Sequence, residues 1–360
     1  MSEKIKIFVS HHNYGKIIKT DIIEPIQVGR AIADKVFKEM IGDDTGDNIS
    51  EKNLKYSELT AQYWVWKNYE KIGNPEYIGF MHYRRHFVFN ENFDVASNPS
   101  WHPEMPVYFV DLNDDCIENL KDEYILKTLE DNADCYAIKP YNIQCILEND
   151  MYMKEHYLMT IPGAKRLFWD AFYNAVLKLY PEYKNILDNF TYGRYLNVCN
   201  MFIMKKDIFF RYNEFCFNIL QETEDNINLE AYNLTNARIM GYLGEYMLTL
   251  FIMKLQEENK KLKFLDAIYL KNIDVNPIFN KKNIQMFIDK IFSVKNEFTH
   301  KIIRIFGIKF KIRRKYALLQ HDIAYNSRVN RVILNRLMIK VSELQNEVFL
   351  LKKEREKNEL

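Results

Sequence analysis

Glycine and proline are scarce, at 11 and 9 residues in 360. That scarcity excludes collagen-like and low-complexity chains and argues against a turn-dense all-β fold. Cysteine is sparse and unpatterned. The five residues, Cys116, Cys135, Cys145, Cys199 and Cys216, are odd in number, contain no CxxC and have no histidine at metal-ligand spacing. They read as buried thiols in a reducing compartment. No run of 18 uncharged apolar residues occurs, and the opening MSEKIKIFVSHH lacks the long apolar segment of a signal peptide. A cytoplasmic protein without a membrane span is expected. GxGxxG, GxxxxGKS/T, HExxH and GxSxG are all missing, and no DxD stands at a strand end. The acidic clusters Asp43–Asp47 and Asp111–Asp115 fall in loop-like contexts, so no metal and no other cofactor is expected.

Hydrophobic residues are plentiful at 48%, and charged residues make up 28%. A sizeable core can form, and disorder of the whole chain is excluded. Aromatics reach 14%, with 24 Tyr, 24 Phe and 4 Trp; a deep core accounts for most of them, and a sugar-stacking cleft is compatible. Charge is unevenly spread. Residues 281–360 hold 19 Lys and Arg against 8 Asp and Glu, a net of +11, which leaves −10 on residues 1–280 for the overall +1. An acidic body with a basic tail implies an anionic partner for the tail.

Along the chain, KIKIFVSHH reads as a buried first strand ending at Ser10-His11. GRAIADKVFKEMIG (29–42) has helical spacing. SELTAQYWVWKNYEKIG predicts a helix with Ser57 as N-cap and Gly73 as its stop. Tyr77–Met81 is a second buried strand, so strand, helix and strand predict a βαβ unit in a mostly parallel sheet. Helix is expected over 113–132, strand over 135–141, and helix over 151–187 with a break at Pro162-Gly163. A strand over 198–204 and helices near 209–220 and over 237–255 follow. KIIRIFGIKFKIRRK (301–315) then carries seven basic residues, no acids and interspersed Ile and Phe. Leu334, Leu337, Val341, Leu344, Val348 and Leu351 form a heptad seam. Three segments are expected: a catalytic-type domain over 1–275, a basic amphipathic connector over 276–320 and a coiled-coil helix over 321–360.

Ligands of open α/β sheets bind beyond the carboxyl ends of the strands. Three such ends carry polar residues: Ser10-His11-His12, His82-Tyr83-Arg84-Arg85 and Asn200-Met201. Paired arginines after a buried strand make an anion clamp, because guanidinium forks match phosphate oxygens; pairing with rim acids is the structural alternative. Glu245, in GYLGEYM, is a carboxylate amid apolar helical residues. It can serve as a general base or form a structural ion pair with Arg238. Trp64 and Trp66 cannot share a helix face, so at least one packs in the core.

The segments SHH, PIQVG (25–29), ELTAQYWVWKN (58–68), YIGFMHYRRHF (77–87), NMFIMKKDIF (200–209) and RIMGYLGEYM (238–247) together resemble one bacterial family. It is the galactofuranosyltransferase-type domain of capsule, O-antigen and exopolysaccharide clusters, and the likeness spans roughly residues 4 to 255. The resemblance implies a GT-A-like α/β fold and transfer from a UDP-sugar, with UDP-galactofuranose as the donor class. HYRR would replace the metal-binding DxD. Ser10, His11, Gln27, Val28 and Gly29 would hold uracil and ribose. Thr60, His82, Tyr83, Arg84, Arg85 and Arg238 would hold diphosphate and sugar, and Asn200 would orient hydroxyls. Glu245 would be the catalytic base, with Trp64 and His156 at the acceptor.

The expected partners are a UDP-sugar, a lipid-linked or oligosaccharide acceptor, and an anionic membrane surface met by residues 301–315. A homo-oligomer through the seam is expected, at the inner membrane's cytoplasmic face, with no nucleic acid. A non-catalytic glycan- or nucleic-acid-binding protein with an aromatic cleft and basic tail is the alternative reading.

Overall fold

The computed structural model describes residues 4–100, 104–146, 151–229, 238–271 and 273, together with 292–296, 300–305 and 308–313. The chain divides into two compact units, Met1–Asn276 and Pro277–Leu360. In the first unit, strands β1 (Ile5–His11), β2 (Ile23–Gln27) and β3 (Ile41–Gly42) precede helices α1 (Asn53–Tyr56) and α2 (Leu59–Lys67). Strands β4 (Tyr77–His82), β5 (Arg85–Phe87) and β6 (Val107–Asp111) follow, then helices α3 (Asp114–Glu118) and α4 (Asp122–Leu129). Strands β7 (Cys135–Ile138) and β8 (Tyr141–Asn142) lead to helices α5 (Met153–Thr160), α6 (Arg166–Leu179) and α7 (Lys184–Thr191). The unit closes with β9 (Tyr195–Leu196), β10 (Phe202–Lys205), α8 (Lys206–Asp225), α9 (Ile239–Glu257), β11 (Leu262–Leu265) and β12 (Ala267–Lys271).

The main sheet is mixed α/β in class, in the order β11-β7-β10-β4-β1-β2-β3, with β5, β6 and β12 attached beyond β4. Strands β3, β2, β1 and β4 run parallel, and β10 enters antiparallel between β4 and β7. The chain lays β2 and β3 on one side of β1 and β4 on the other. That reversal is a topological switch point, where connections leave a crevice at the carboxyl edge. Strands β1 and β4 are almost wholly buried, which explains their continuous apolar runs.

Aromatic residues fill the core. Phe80 of β4 stacks on Phe209 of α8 at 6.1 Å, and Phe202 of β10 meets Tyr212 edge-on at 5.3 Å. Tyr212 in turn contacts Phe251 of α9 at 5.0 Å. Each such pair adds about 0.5–1.5 kcal/mol beyond the area it buries.

Several expectations need correction. Residues 29–42 do not form a helix: after one 3-10 turn at Arg30–Ile32 the chain is irregular until β3. Side chains capture the backbone there. Gln27 Nε2 donates to Lys35 O at 2.6 Å, and its Oε1 accepts from Phe37 N at 2.8 Å. Buried Asp43 accepts from Gly29 N, Arg30 N and Ser50 Oγ. These bonds satisfy groups that a helix would otherwise pair. Ser57 does not cap α2, which lacks a side-chain cap bond. The strand expected from 198 begins at Phe202, because Cys199 and Asn200 adopt left-handed φ of 71° and 46°. The helix over 113–132 is two helices, and β2, β6, β11 and β12 are strands beyond those the patterning predicts.

In the second unit, β13 (Phe292–Asn296), β14 (His300–Ile305) and β15 (Ile308–Arg313) form an antiparallel sheet. The described part of the basic connector is therefore β-structure, as befits IKFKIR, whose apolar and basic residues alternate with period two. The seam from Leu334 to Leu351 lies outside the described residues. Among the described residues no helix is long and apolar enough to cross a membrane.

Candidate active site

The carboxyl ends of β1 and β4 open into a cavity of about 500 Å³, within the usual range for small-ligand sites. The motif His82-Tyr83-Arg84-Arg85 forms the tight hairpin between β4 and β5, where His82 pairs with Arg85 and Tyr83-Arg84 make the turn. Tyr83 N donates to Ser10 O at 3.1 Å, tying the hairpin to the end of β1. Arg85 lies opposite Tyr269 in the antiparallel β5–β12 pair. Its guanidinium is 5.4 Å from the Tyr269 ring centre, while Arg84 Nη1 donates to the Tyr269 hydroxyl at 3.2 Å. One tyrosine thus steadies both arginines at the cavity wall.

The opposite wall comes from α1, the turn after it, and α9. Gly241 and Gly244 bring α9 close: a Cβ on Gly241 would lie 3.0 Å from Ser57 Oγ, and one on Gly244 would lie 2.9 Å from Leu59 Cδ1. This approach sets Glu58, Arg238, Tyr242 and Glu245 around the same cavity. Arg238 Nε donates to Ser57 Oγ at 2.7 Å, and Arg238 Nη2 is 4.0 Å from Glu58 Oε2. Glu245 Oε2 accepts from Cys199 N at 3.2 Å, and His82 Nε2 donates to Cys199 O at 2.5 Å. Glu245 is therefore not the simple ion-pair partner of Arg238; it is anchored by a backbone amide.

Electrostatically, three arginines face two carboxylates. Burial, and then Glu58, raise the Glu245 pKa to about 7 against the opposing pull of Arg85, the Cys199 amide and Arg238. Burial likewise lifts Glu58 above the usual carboxylate range against the pull of Arg238 and Arg85. Burial, reinforced by Arg85, holds His82 down at about 3, so it is a neutral donor near pH 7. Two buried carboxyls raised above the usual carboxylate range on one cavity suit acid–base work. The arginines leave a positive surplus suited to a polyanionic ligand.

Backbone strain concentrates here. Among the described non-glycine residues with left-handed φ, all are asparagines except Ser57, Cys199 and Arg238, and these three line the cavity. Ser57, at φ 53° and ψ −131°, is the least suited to a side chain. Relief of that strain predicts that Ser57→Gly is more stable than Ser57→Ala by about 1–2 kcal/mol, the reverse of the usual order. Thermal melts of the two variants check this; an Ala variant of equal or greater stability would count against it.

Of the residues singled out from sequence, Ser10, His12, Val28, His82, Tyr83, Arg84, Arg85, Arg238 and Glu245 line the cavity. The others lie behind it. His11 is buried under Tyr83, and the Gln27 amide is occupied by the loop over residues 35–37. Gly29, at φ 61°, packs on Asn53, and Thr60 Oγ1 donates to Ser57 O at 3.1 Å. Asn200 is buried beside Glu58 and accepts from Tyr212 OH at 3.4 Å. Trp64 and His156 point into the protein. Trp64 Nε1 donates to Thr45 O at 2.7 Å, and His156 Nδ1 is 2.7 Å from the Tyr246 hydroxyl. Sequence reasoning missed Ser57 and Glu58 as cavity residues, although they open the ELTAQYWVWKN segment. It also missed Asn53, Cys199, Tyr242 and Tyr269. Among the described residues no group of three or more His, Cys, Asp or Glu is arranged to hold a metal ion.

No match was found among curated proteins. The chain is similar to the apo structure of WbbM, a bifunctional glycosyltransferase, at 34% identity and a TM-score of 0.67. The match covers 77% of this chain and 48% of that one, so the chain spans about half the length of that relative. A family model described as "Domain of unknown function (DUF4422)" matches residues 6–258, which takes in every lining residue of the cavity but Tyr269, and the chain belongs to that family.

Proposed function

We propose that the protein is a glycosyltransferase that moves a sugar, galactofuranose or a related hexose, from a UDP-sugar to a glycan acceptor. The observation that carries this reading is the convergence of Arg84, Arg85 and Arg238 with Glu58 and Glu245 on one cavity at the sheet's switch point. The likeness to WbbM supports it. In the proposed inverting displacement, an acceptor hydroxyl oxygen bonds to the anomeric carbon while the bond from that carbon to the diphosphate breaks. Glu245, in its ionised form, takes the hydroxyl proton. UDP departs with the bonding electron pair, and the arginines stabilise the charge that develops on it. Guanidinium groups are proposed here to do the work that a divalent metal does at a DxD motif.

Release of UDP from a panel of UDP-sugars, UDP-galactofuranose included, tests the proposal with and without an oligosaccharide acceptor. Acceptor-dependent release is expected, and EDTA is expected to leave the rate within about twofold, well short of the loss that follows removal of a charge-stabilising group. Absence of release with every donor would favour the non-catalytic glycan-binding reading. Full loss in EDTA with rescue by Mn²⁺ would overturn the arginine-for-metal part alone.

A further inference from the structure

The carboxyl edge that holds the cavity holds a second concavity. Strand β10 is antiparallel to both β4 and β7, so the carboxyl ends of β4 and β7 lie on the same edge. Beyond β7, a groove of about 300 Å³ has Phe190, Ile252, Met253 and Phe264 among its apolar walls, with Arg194, Tyr195 and Gln256 at its rim. The two-residue pair β8–β9 raises Tyr195 there, and the ring is 60% exposed. Tyr192, 69% exposed, meets Tyr152 edge-on at 6.0 Å, and the Arg194 guanidinium lies 5.3 Å from the Tyr152 ring centre. Most rings among the described residues are buried, so tyrosines left this open beside an apolar groove mark a contact surface.

The groove and the cavity flank the same helix, α9. Asn197 N donates to Thr249 Oγ1 at 3.0 Å, and Cys199 N donates to Glu245 Oε2 at 3.2 Å. The segment from Tyr195 to Cys199 therefore runs along α9 from one site to the other. Thr249 lines the groove and Glu245 lines the cavity, only one helical turn, about 6 Å, apart along the axis. That spacing puts both sites within the length of one chain molecule.

We propose that this groove and its tyrosine rim form a second subsite that binds the distal sugars of an oligosaccharide acceptor. The inference rests on the glycosyltransferase reading for the word acceptor, but not for the binding itself. Sugar rings present flat C–H faces that cover apolar and aromatic surface, and hydroxyls that pair with the guanidinium and amide of Arg194 and Gln256 and with tyrosine hydroxyls. Arg194 is the one charged group among the groove's lining residues, which favours a neutral, hydroxyl-rich occupant over an ionic one.

The test uses the full chain and a galactofuranosyl tetrasaccharide as probe, with the matching monosaccharide as control. Both exposed rings are removed in Tyr192→Ala/Tyr195→Ala, and thermal melting confirms that the fold is kept. The variant is expected to bind the tetrasaccharide at least about tenfold more weakly in calorimetry, equivalent to about 1.4 kcal/mol. Its KM for that acceptor should rise by a similar factor, while kcat, the monosaccharide KM and acceptor-free UDP release stay unchanged. Tyr195→Phe should retain most of the binding. Arg85→Ala, which disables the donor cavity, should bind the tetrasaccharide as the wild type does. Equal binding by wild type and double variant, or no binding by the wild type at millimolar probe, overturns the subsite. Tetrasaccharide binding that depends on both rings, without any UDP-sugar turnover, sinks the glycosyltransferase reading and leaves the subsite standing.

Discussion

Glu245→Gln is expected to lower sugar transfer by roughly 100- to 10,000-fold while UDP binding changes little, because the amide keeps the shape but cannot take the acceptor's proton. The cavity geometry makes the prediction specific. Glu245 is held by the Cys199 amide and is pushed by burial, and then by Glu58, to about 7. Below that value most of the carboxyl is protonated and the base is absent. The wild-type kcat/KM should therefore climb about tenfold per pH unit on the acid side and level off above pH 7. The same shift has a sign for stability. A carboxyl whose pKa is raised on folding stabilises the fold at acid pH, and this contribution is lost as pH rises from about 4.5 through about 7. Glutamine does not titrate, so the melting temperature of Glu245→Gln relative to wild type should increase between pH 5 and pH 8. A variant that keeps most of its rate would move the base to Glu58, and Glu58→Gln would then carry the loss.

Arg85→Ala should weaken donor binding by roughly 10- to 150-fold, the equivalent of about 1.5–3 kcal/mol for one charge-assisted contact to a phosphate. Arg85→Lys should recover little of this. An ammonium lacks the fork that grips two oxygens, and it would not reproduce the guanidinium's stacking with Tyr269. A second readout separates this role from general damage. Arg85 holds the Glu245 pKa down, so its removal should carry the midpoint of the pH–rate profile above 7. Donor titrations and pH profiles on the same variants check both effects. A midpoint that stays in place, with donor affinity unchanged, would separate Arg85 from the cavity's chemistry.

Much of the fold was legible in the residues alone. The buried strands β1 and β4 announce themselves as continuous apolar runs, and Gly73, at φ 87°, ends the turn after α2 as a left-handed stop should. The strand-end rule places Ser10, His82 and the two arginines at one edge from the sequence alone. These features are local. Burial pattern, periodicity and terminators act over a handful of residues and are written in consecutive positions. The segment over 29–42 shows where that logic stops: its spacing is helical, yet Gln27 and Asp43 bind its backbone from outside the segment and leave one 3-10 turn. Trp64 and His156 had the composition of ligand-facing residues, but their ring nitrogens found buried partners in Thr45 and Tyr246. The meeting of Glu58 and Glu245 on one cavity, the seat of Arg238 on Ser57 and the placing of Tyr269 against two arginines join segments up to 187 positions apart. Only tertiary packing could decide them, because the close approach of α9 permitted by Gly241 and Gly244 and the pairing of β5 with β12 determine which charges face one another across the cavity.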